Sequence, residues 1–314
     1  MEKSIALARR IVPLAVCLIL FVLFFKSGPD YFSERWFKEI WNFGHIIFFA
    51  LFTAILLRKT PLLISLDVLW QISIVMGIAL ILGISIELAQ NTIGRSLDKA
   101  DIFRNLIGAW TGFFFFSPEK LKLRNLTIRS GQVLGVALIT LQIIAYSFVL
   151  IDDYRIHRDT PLLAGFEHKA ELKRWSGIAK YSLSSEQKIS GNSSMKIKLG
   201  TEKYSNTSLN AFIRDWSKFK SLSASFYNPQ SEPLEITIKI TDIVHNRGKQ
   251  AYHNRFNREI ELKPGWNLIG IDTVDIKNAP KNRAMKMTHI SKVTFFSSNL
   301  ESPKIVFVDN VKLQ

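Results

Sequence analysis

The sequence predicts a membrane all-α bundle of about five transmembrane helices, followed by an all-β sandwich of the jelly-roll kind. Three observations predict it. Long apolar runs are confined to the first half of the 314 residues. Short alternating runs separated by turn signals fill the second half. Charge divides with them: residues 1–151 hold 15 Lys/Arg against 9 Asp/Glu, and residues 152–314 hold 26 against 17. A mean hydropathy of +0.12 together with 23 Phe does not suit one wholly soluble domain. A disulfide scaffold is excluded, since Cys17 is the single cysteine, and so is a disordered chain. The net charge of +15 raises nucleic acid as a partner. Much of the surplus flanks apolar segments, however, so the lipid bilayer is the expected partner and nucleic acid is not.

The apolar segments run over 11–25, 43–57, 68–89, 102–116 and 133–151. A helix needs about 20 residues to span a bilayer. The third and fifth segments meet this directly. The first reaches it by adding Ile5–Ala8 or Lys26, whose long side chain can snorkel. The second and fourth reach it when their polar ends, near His45 and Asp101, sit at membrane depth. The first segment starts like a signal peptide, with Arg9-Arg10 ahead of an apolar core. Lys26-Ser27-Gly28-Pro29 lacks a small-x-small cleavage pattern, so an uncleaved anchor is expected. Basic residues set the orientation: nine fall in the segments that are inside when the N-terminus is cytoplasmic, against six in the short outer loops. The expected organisation is a transmembrane domain over 1–151, a linker over 152–161 and an extracytoplasmic sandwich over 162–314. The expected location is a bacterial cytoplasmic membrane.

Parity then gathers polar residues at one membrane face. His45 opens the second span, Glu87 and Gln90 close the third, and Asp101 and Asn105 open the fourth, joined by a loop with Arg95 and Asp98. Ala79, Gly83, Glu87 and Gln90 share one helical stripe. Asp98, Asp101, Asn105, Gly108 and Gly112 share another. Polar groups at membrane depth usually face a bundle interior or a water-filled cavity. Small residues on the same stripes let backbones approach closely, and Gly108/Gly112 is a G-x-x-x-G pair.

The string Glu87-x-x-Gln90, Arg95, Asp98, Asp101, Asn105, Gly108, Gly112, with His45 upstream, resembles the VanZ-like family of bacterial membrane proteins over about residues 10–118. Trp41-Asn42 stands where that family usually has an Asp-Lys pair. The resemblance implies a cell-envelope role, and for the namesake member a part in teicoplanin resistance. It implies little chemistry. The residues themselves leave several readings open. One is an interhelical network in which Arg95 pairs Asp98 or Asp101 and Gln90 bonds Asn105. A second is a binding or catalytic site for a lipid-linked or glycan precursor, with Glu87 and Asp101 as acid/base groups and Arg95 gripping an anion. A third is a metal site from His45, Glu87 and Asp101, whose ligand types suit a metal although no local spacing signature is present. A fourth is a proton relay.

In the second half, strands are expected over 194–199, 208–213, 221–227, 234–242, 257–262, 266–272, 290–297 and 305–313. Turns are signalled at Gly191-Asn192, Asn228-Pro229, Asn246-Arg247-Gly248 and Pro264-Gly265. That strand number fits a jelly roll better than an immunoglobulin fold. Several phrases resemble the galactose-binding-like jelly rolls of carbohydrate-binding modules: Gly165-Phe166-Glu167, Trp175, the 191–197 run, Asp215-Trp216-Ser217, the 262–267 run and Val308-Asp309-Asn310-Val311. Relatives often hold a structural calcium, and Glu167 and Asp309 sit at the matching phrases; no other cofactor is expected. Sugar binding needs exposed aromatic platforms. Trp216 and Trp266 are expected to pack the sandwich. Tyr252, His253 and Arg255 form the expected exposed polar-aromatic patch. The basic surplus suits cell-wall glycan or acidic polysaccharide. The leading expectation is a multi-pass envelope protein with an outer polar site and an external glycan-binding-like domain. The alternatives are a membrane enzyme acting on a lipid-linked or glycan precursor, and a structural membrane adaptor.

Overall fold

In the computed structural model residues 2–26, 29, 33–92 and 98–314 are described. The chain divides into two compact units, Met1–Leu150 and Ile151–Gln314.

The first unit is helical: α1 (Glu2–Lys26), α2 (Arg35–Lys59), the single turn α3 (Pro61–Ile64), α4 (Val68–Thr92), α5 (Lys99–Thr111) and α6 (Asn125–Asp159). A π-helical run, Gly112–Phe116, extends α5. Asp98 starts α5 by accepting a hydrogen bond from the Ala100 amide. Among the described residues three helices are long and apolar enough to cross a membrane: Arg35–Lys59, Val68–Gln90 and Asn125–Asp159. Leu14–Phe25 is a shorter apolar stretch. Their outer surface is apolar, with Leu18, Ile81, Leu88, Val133 and Phe148 all exposed, as a lipid-facing helix requires. The unit's core gathers Phe48, Phe49, Leu57, Ile86, Ala109 and Phe113.

Close backbone approach explains the glycines of α5. A Cβ on Gly108 would lie 2.5 Å from the Ile46 carbonyl oxygen, and one on Gly112 would lie 2.5 Å from that of Ala50. Only glycine lets α5 sit this near α2. Gly83 of α4 admits the Asn105 side chain in the same way.

The second unit begins with the last turns of α6. The expected linker over 152–161 is therefore helical to Asp159. Asp152 and Ile156 are only 5% and 7% exposed, so these turns pack against their own unit. The β-strands form two antiparallel sheets. One orders β3 (Lys180–Ser184), β4 (Ser194–Leu199), β11 (Lys304–Leu313), β6 (Ser221–Asn228) and β9 (Gly265–Asp272), with β1 (Leu162–Ala164) also on β11. The other orders β2 (Trp175–Gly177), β5 (Tyr204–Leu209), β10 (Ile290–Ser298), β7 (Leu234–Asp242) and β8 (Phe256–Leu262). Alternation drives the burial. In β7, Leu234, Ile236, Ile238 and Ile240 turn into the core while Glu235, Thr237 and Lys239 turn out. Short helices α7 (Lys169–Leu172), α8 (Ile243–Arg247) and α9 (Thr273–Asn278) link the strands.

The strands β1, β2 and β3 were not expected, because each is short and has a weakly patterned sequence. The run expected over 208–213 is displaced to β5, since after Leu209 the chain leaves its strand and Asn210 donates its amide to the Arg174 carbonyl. The turn expected at Asn246-Arg247-Gly248 closes a helical turn instead: Asp242 caps α8 by accepting from the His245 amide. Trp216 is buried as expected, but Trp266 is 36% exposed and packs at a tilt against Tyr227 on the outer face of the first sheet.

Candidate functional site

Two groupings of polar side chains stand out, one in each unit. In the helical unit, α2, α4 and α5 bring His45, Glu87, Asp101 and Asn105 together, each at most 4% exposed. His45 Nδ1 lies 2.9 Å from Asn105 Oδ1, and its Nε2 lies 3.5 Å from Asp101 Oδ2. Glu87 Oε2 accepts from the Asp98 amide at 2.9 Å. Gln90, expected against Asn105, is equally buried but donates to the Phe24 carbonyl at 3.0 Å. Arg95 lies outside the described residues. Arg104, which the sequence did not single out, makes ion pairs in this cluster. It donates to Asp101 at 2.5 Å and to Asp98 at 3.3 Å, and approaches Glu39 at 4.0 Å. The signal for Arg104 was present: it lies three residues after Asp101 on the same helix, where side chains meet.

In the sandwich, a groove of about 470 Å³ runs over the outward face of the β5–β10–β7–β8 sheet. Strand register builds its floor in ranks. Asn206, Phe296, Thr237 and Glu259 lie side by side, and Lys239 and Asn257 line the groove from the next rank. Tyr204 and Tyr252 flank it, 52% and 67% exposed, and the Tyr204 ring packs edge-on to Phe296. Tyr252 and Arg255, expected from the sequence, line this groove, with the Arg255 guanidinium 5.0 Å from the centre of the Tyr252 ring. His253 is exposed and does not line it. Arg255 Nε and Asn257 Oδ1 are buried atoms with no hydrogen-bond partner among the described residues.

Lys239 was missed, because alternation shows that it points outward but not which strands lie beside it. Burial, with the positive charges of Arg255 and Lys292 adding to it, pushes its ammonium down to about 8. Arg283 ties Asn254, between the groove residues Tyr252 and Arg255, to Asp242. It grips Asp242 through both terminal nitrogens and donates from Nε to the Asn254 side chain at 2.6 Å. Burial pushes the Asp242 carboxyl up, but hydrogen bonds from Arg283, Lys286 and His245 outweigh that and keep it below the usual range.

Glu167 and Asp309 bind one loop from two sides. Glu167 accepts from the amides of Asn192 and Ser193, and Asp309 from those of Ile189, Ser190 and its neighbour Asn310. The Asn192 amide, first among these donors, holds the Glu167 carboxyl below its usual range. Gly191, at φ +60°, passes so close that a Cβ would strike Glu167. N–H donors address all four carboxylate oxygens. That donor set ties the loop to both carboxylates.

No family model matches the chain, and no curated protein matches it. Solved structures do resemble it through the sandwich. A family 11 carbohydrate-binding module from Clostridium thermocellum, in complex with a β-1,3-1,4-mixed-linked tetrasaccharide, is 19% identical over 49% of this chain and 94% of that one, with a TM-score of 0.39. An exo-β-agarase is 15% identical over 49% of this chain and 25% of its own, with a TM-score of 0.40. A xylan-binding domain of carbohydrate-binding module family 22 is 11% identical over 49% and 95%, with a TM-score of 0.34. At these values the likeness bears on no ligand, and the sandwich assignment rests on the two sheets themselves.

Proposed function

We propose that the chain is a multi-pass protein of a bacterial cytoplasmic membrane, VanZ-like in its helical unit, whose external sandwich holds an acidic glycan. On this reading α1 and α5 cross with the three longer helices, so the N-terminus and the sandwich lie on opposite faces, and the basic surplus of the inner segments favours a cytoplasmic N-terminus and an external sandwich. The observation that carries the glycan reading is the groove over the β5–β10–β7–β8 sheet. Tyr204, Tyr252 and Phe296 supply flat apolar surface for sugar rings, and Asn206, Asn257 and Glu259 supply hydrogen bonds for hydroxyls. Lys239 and Arg255 lie close enough to repel each other, which an anion between them would relieve. This is why an acidic polymer fits better than a neutral one.

The test is titration of the full chain in nanodiscs with acidic and neutral oligosaccharides at low ionic strength. Preferential binding of the acidic set, weakened by salt, is expected. The Lys239 ammonium makes the charged contact, and an anion would raise its pKa. Affinity is therefore expected to fall by about tenfold as pH rises from about 7 to about 10. Lys239→Met should abolish the acidic preference. It should also stabilise the sandwich near neutral pH by about 1–2 kcal/mol, allowing for water on the exposed side of the chain. The sign follows from the depressed pKa: the buried charge costs stability below about 8, and that cost fades as pH rises toward the ordinary lysine value of 10.5. Equal binding of neutral and acidic sugars, unchanged by Lys239→Met, would refute the reading.

A further inference from the structure

We propose that His45, Glu87 and Asp101 form a site for a divalent transition metal, with zinc the ion their donors suit best. The site lies wholly in the helical unit, so its failure would leave the glycan groove untouched. One ligand atom from each residue falls within 4.8 Å of the others, on three different helices. All three residues are almost fully buried, at 0%, 1% and 4% exposed.

The spacing leaves room for an ion among the ligand atoms. His45 Nε2 and Asp101 Oδ2 are 3.5 Å apart. That is longer than a normal N–H···O bond, about 2.7–3.2 Å. It is close to the edge of a tetrahedron with bonds of about 2.1 Å, about 3.4 Å, and the three ligand atoms, within 4.8 Å of one another, would draw in by about an ångström around an ion. Each residue is also steadied from outside. Asn105 Oδ1 meets His45 Nδ1 at 2.9 Å and fixes the ring with Nε2 turned to the carboxylates. Arg104 holds Asp101 through Oδ1, and the Asp98 amide holds Glu87 through Oε2. Outer partners of this kind orient metal ligands and set their basicity.

Charge points the same way. Two carboxylates and a histidine converge in an apolar bundle, and Arg104 binds Asp101 through the oxygen that is not turned to His45. Burying like charges side by side is costly, and a dication between them removes the cost. Histidine nitrogen with two carboxylates is a borderline donor set that favours zinc over magnesium or calcium. Three protein ligands leave a fourth position for water or for an anionic oxygen of a lipid headgroup or precursor.

The test uses the full chain in nanodiscs, stripped with a chelator and equilibrated with zinc alone. One zinc per chain is expected by elemental analysis, together with a raised unfolding temperature. Cobalt in place of zinc should give the intense visible bands of a low-coordinate site. Asn105→Ala, which removes the outer partner of His45 and leaves the three ligands in place, should weaken zinc binding about 10–100-fold. Glu87→Gln should weaken it at least as much while keeping the side chain's shape. Should these variants fail to fold, the wild-type protein decides alone. A stripped chain that takes up no zinc, gains no stability from it and shows no cobalt bands would overturn the proposal in favour of a protonated His45 paired with Asp101.

Discussion

Arg174→Met is expected to cost the sandwich about 3–5 kcal/mol, much of the roughly 5–15 kcal/mol that holds a domain together. Arg174 reaches Asp152, and both side chains are buried, at 4% and 7% exposed. Its Nη2 donates to Asp152 Oδ1 at 2.8 Å, and Nε bridges both carboxylate oxygens at 3.1 and 3.2 Å. The single variant strands a buried carboxylate. The penalty comes from that stranded charge more than from the pair itself, since a buried pair is offset by the desolvation of both ions. The double variant Asp152→Leu with Arg174→Met should therefore recover most of the loss. Chemical unfolding followed by tryptophan fluorescence reads both. A cost below about 1 kcal/mol for Arg174→Met would mean that water reaches the pair.

Gly108→Val is expected to abolish the folded helical unit. The new Cβ would meet the Ile46 carbonyl at 2.5 Å and Phe49 Cβ at 2.9 Å, and a main-chain oxygen cannot move aside as a side chain can. α5 would be forced away from α2, separating Asp101 and Asn105 from His45. Gly77→Ala is the control. Nothing lies within 4 Å of its Cβ position, and alanine favours helix by about 0.5–1 kcal/mol. Folded yield after detergent extraction should fall sharply for Gly108→Val and hold or improve for Gly77→Ala. Equal yields would show that α2 and α5 do not touch along this line.

The helical cores were legible because apolar runs report lipid-facing or core surface directly, and the stripes through Glu87 and through Asp101 follow from helical spacing alone. Arg104 was passed over because a charged residue on a short amphipathic helix reads equally well as a solvated one. Its partner Glu39 sits on a different helix, at a distance that no periodicity encodes. In the sandwich the long strands β4, β7 and β11 carry strict alternation, and their positions were evident. The groove was half visible. Tyr252 and Arg255 stand out in sequence, but Lys239, Phe296 and Tyr204 join them only through the pairing of β5, β10 and β7, which is a long-range fact. Helical turns 152–159 were read as a linker for the same reason: the partner that buries Asp152 is Arg174, a residue from beyond the first strand.

The account stands or falls on the face of the membrane that carries the sandwich. An epitope fused after Gln314 and exposed to protease in intact cells measures this most directly. The account predicts cleavage of the epitope without lysis, with a cytoplasmic control protected in the same cells. An epitope cleaved only after the cells are opened would contradict it, because Lys239 and Arg255 would then face no envelope glycan.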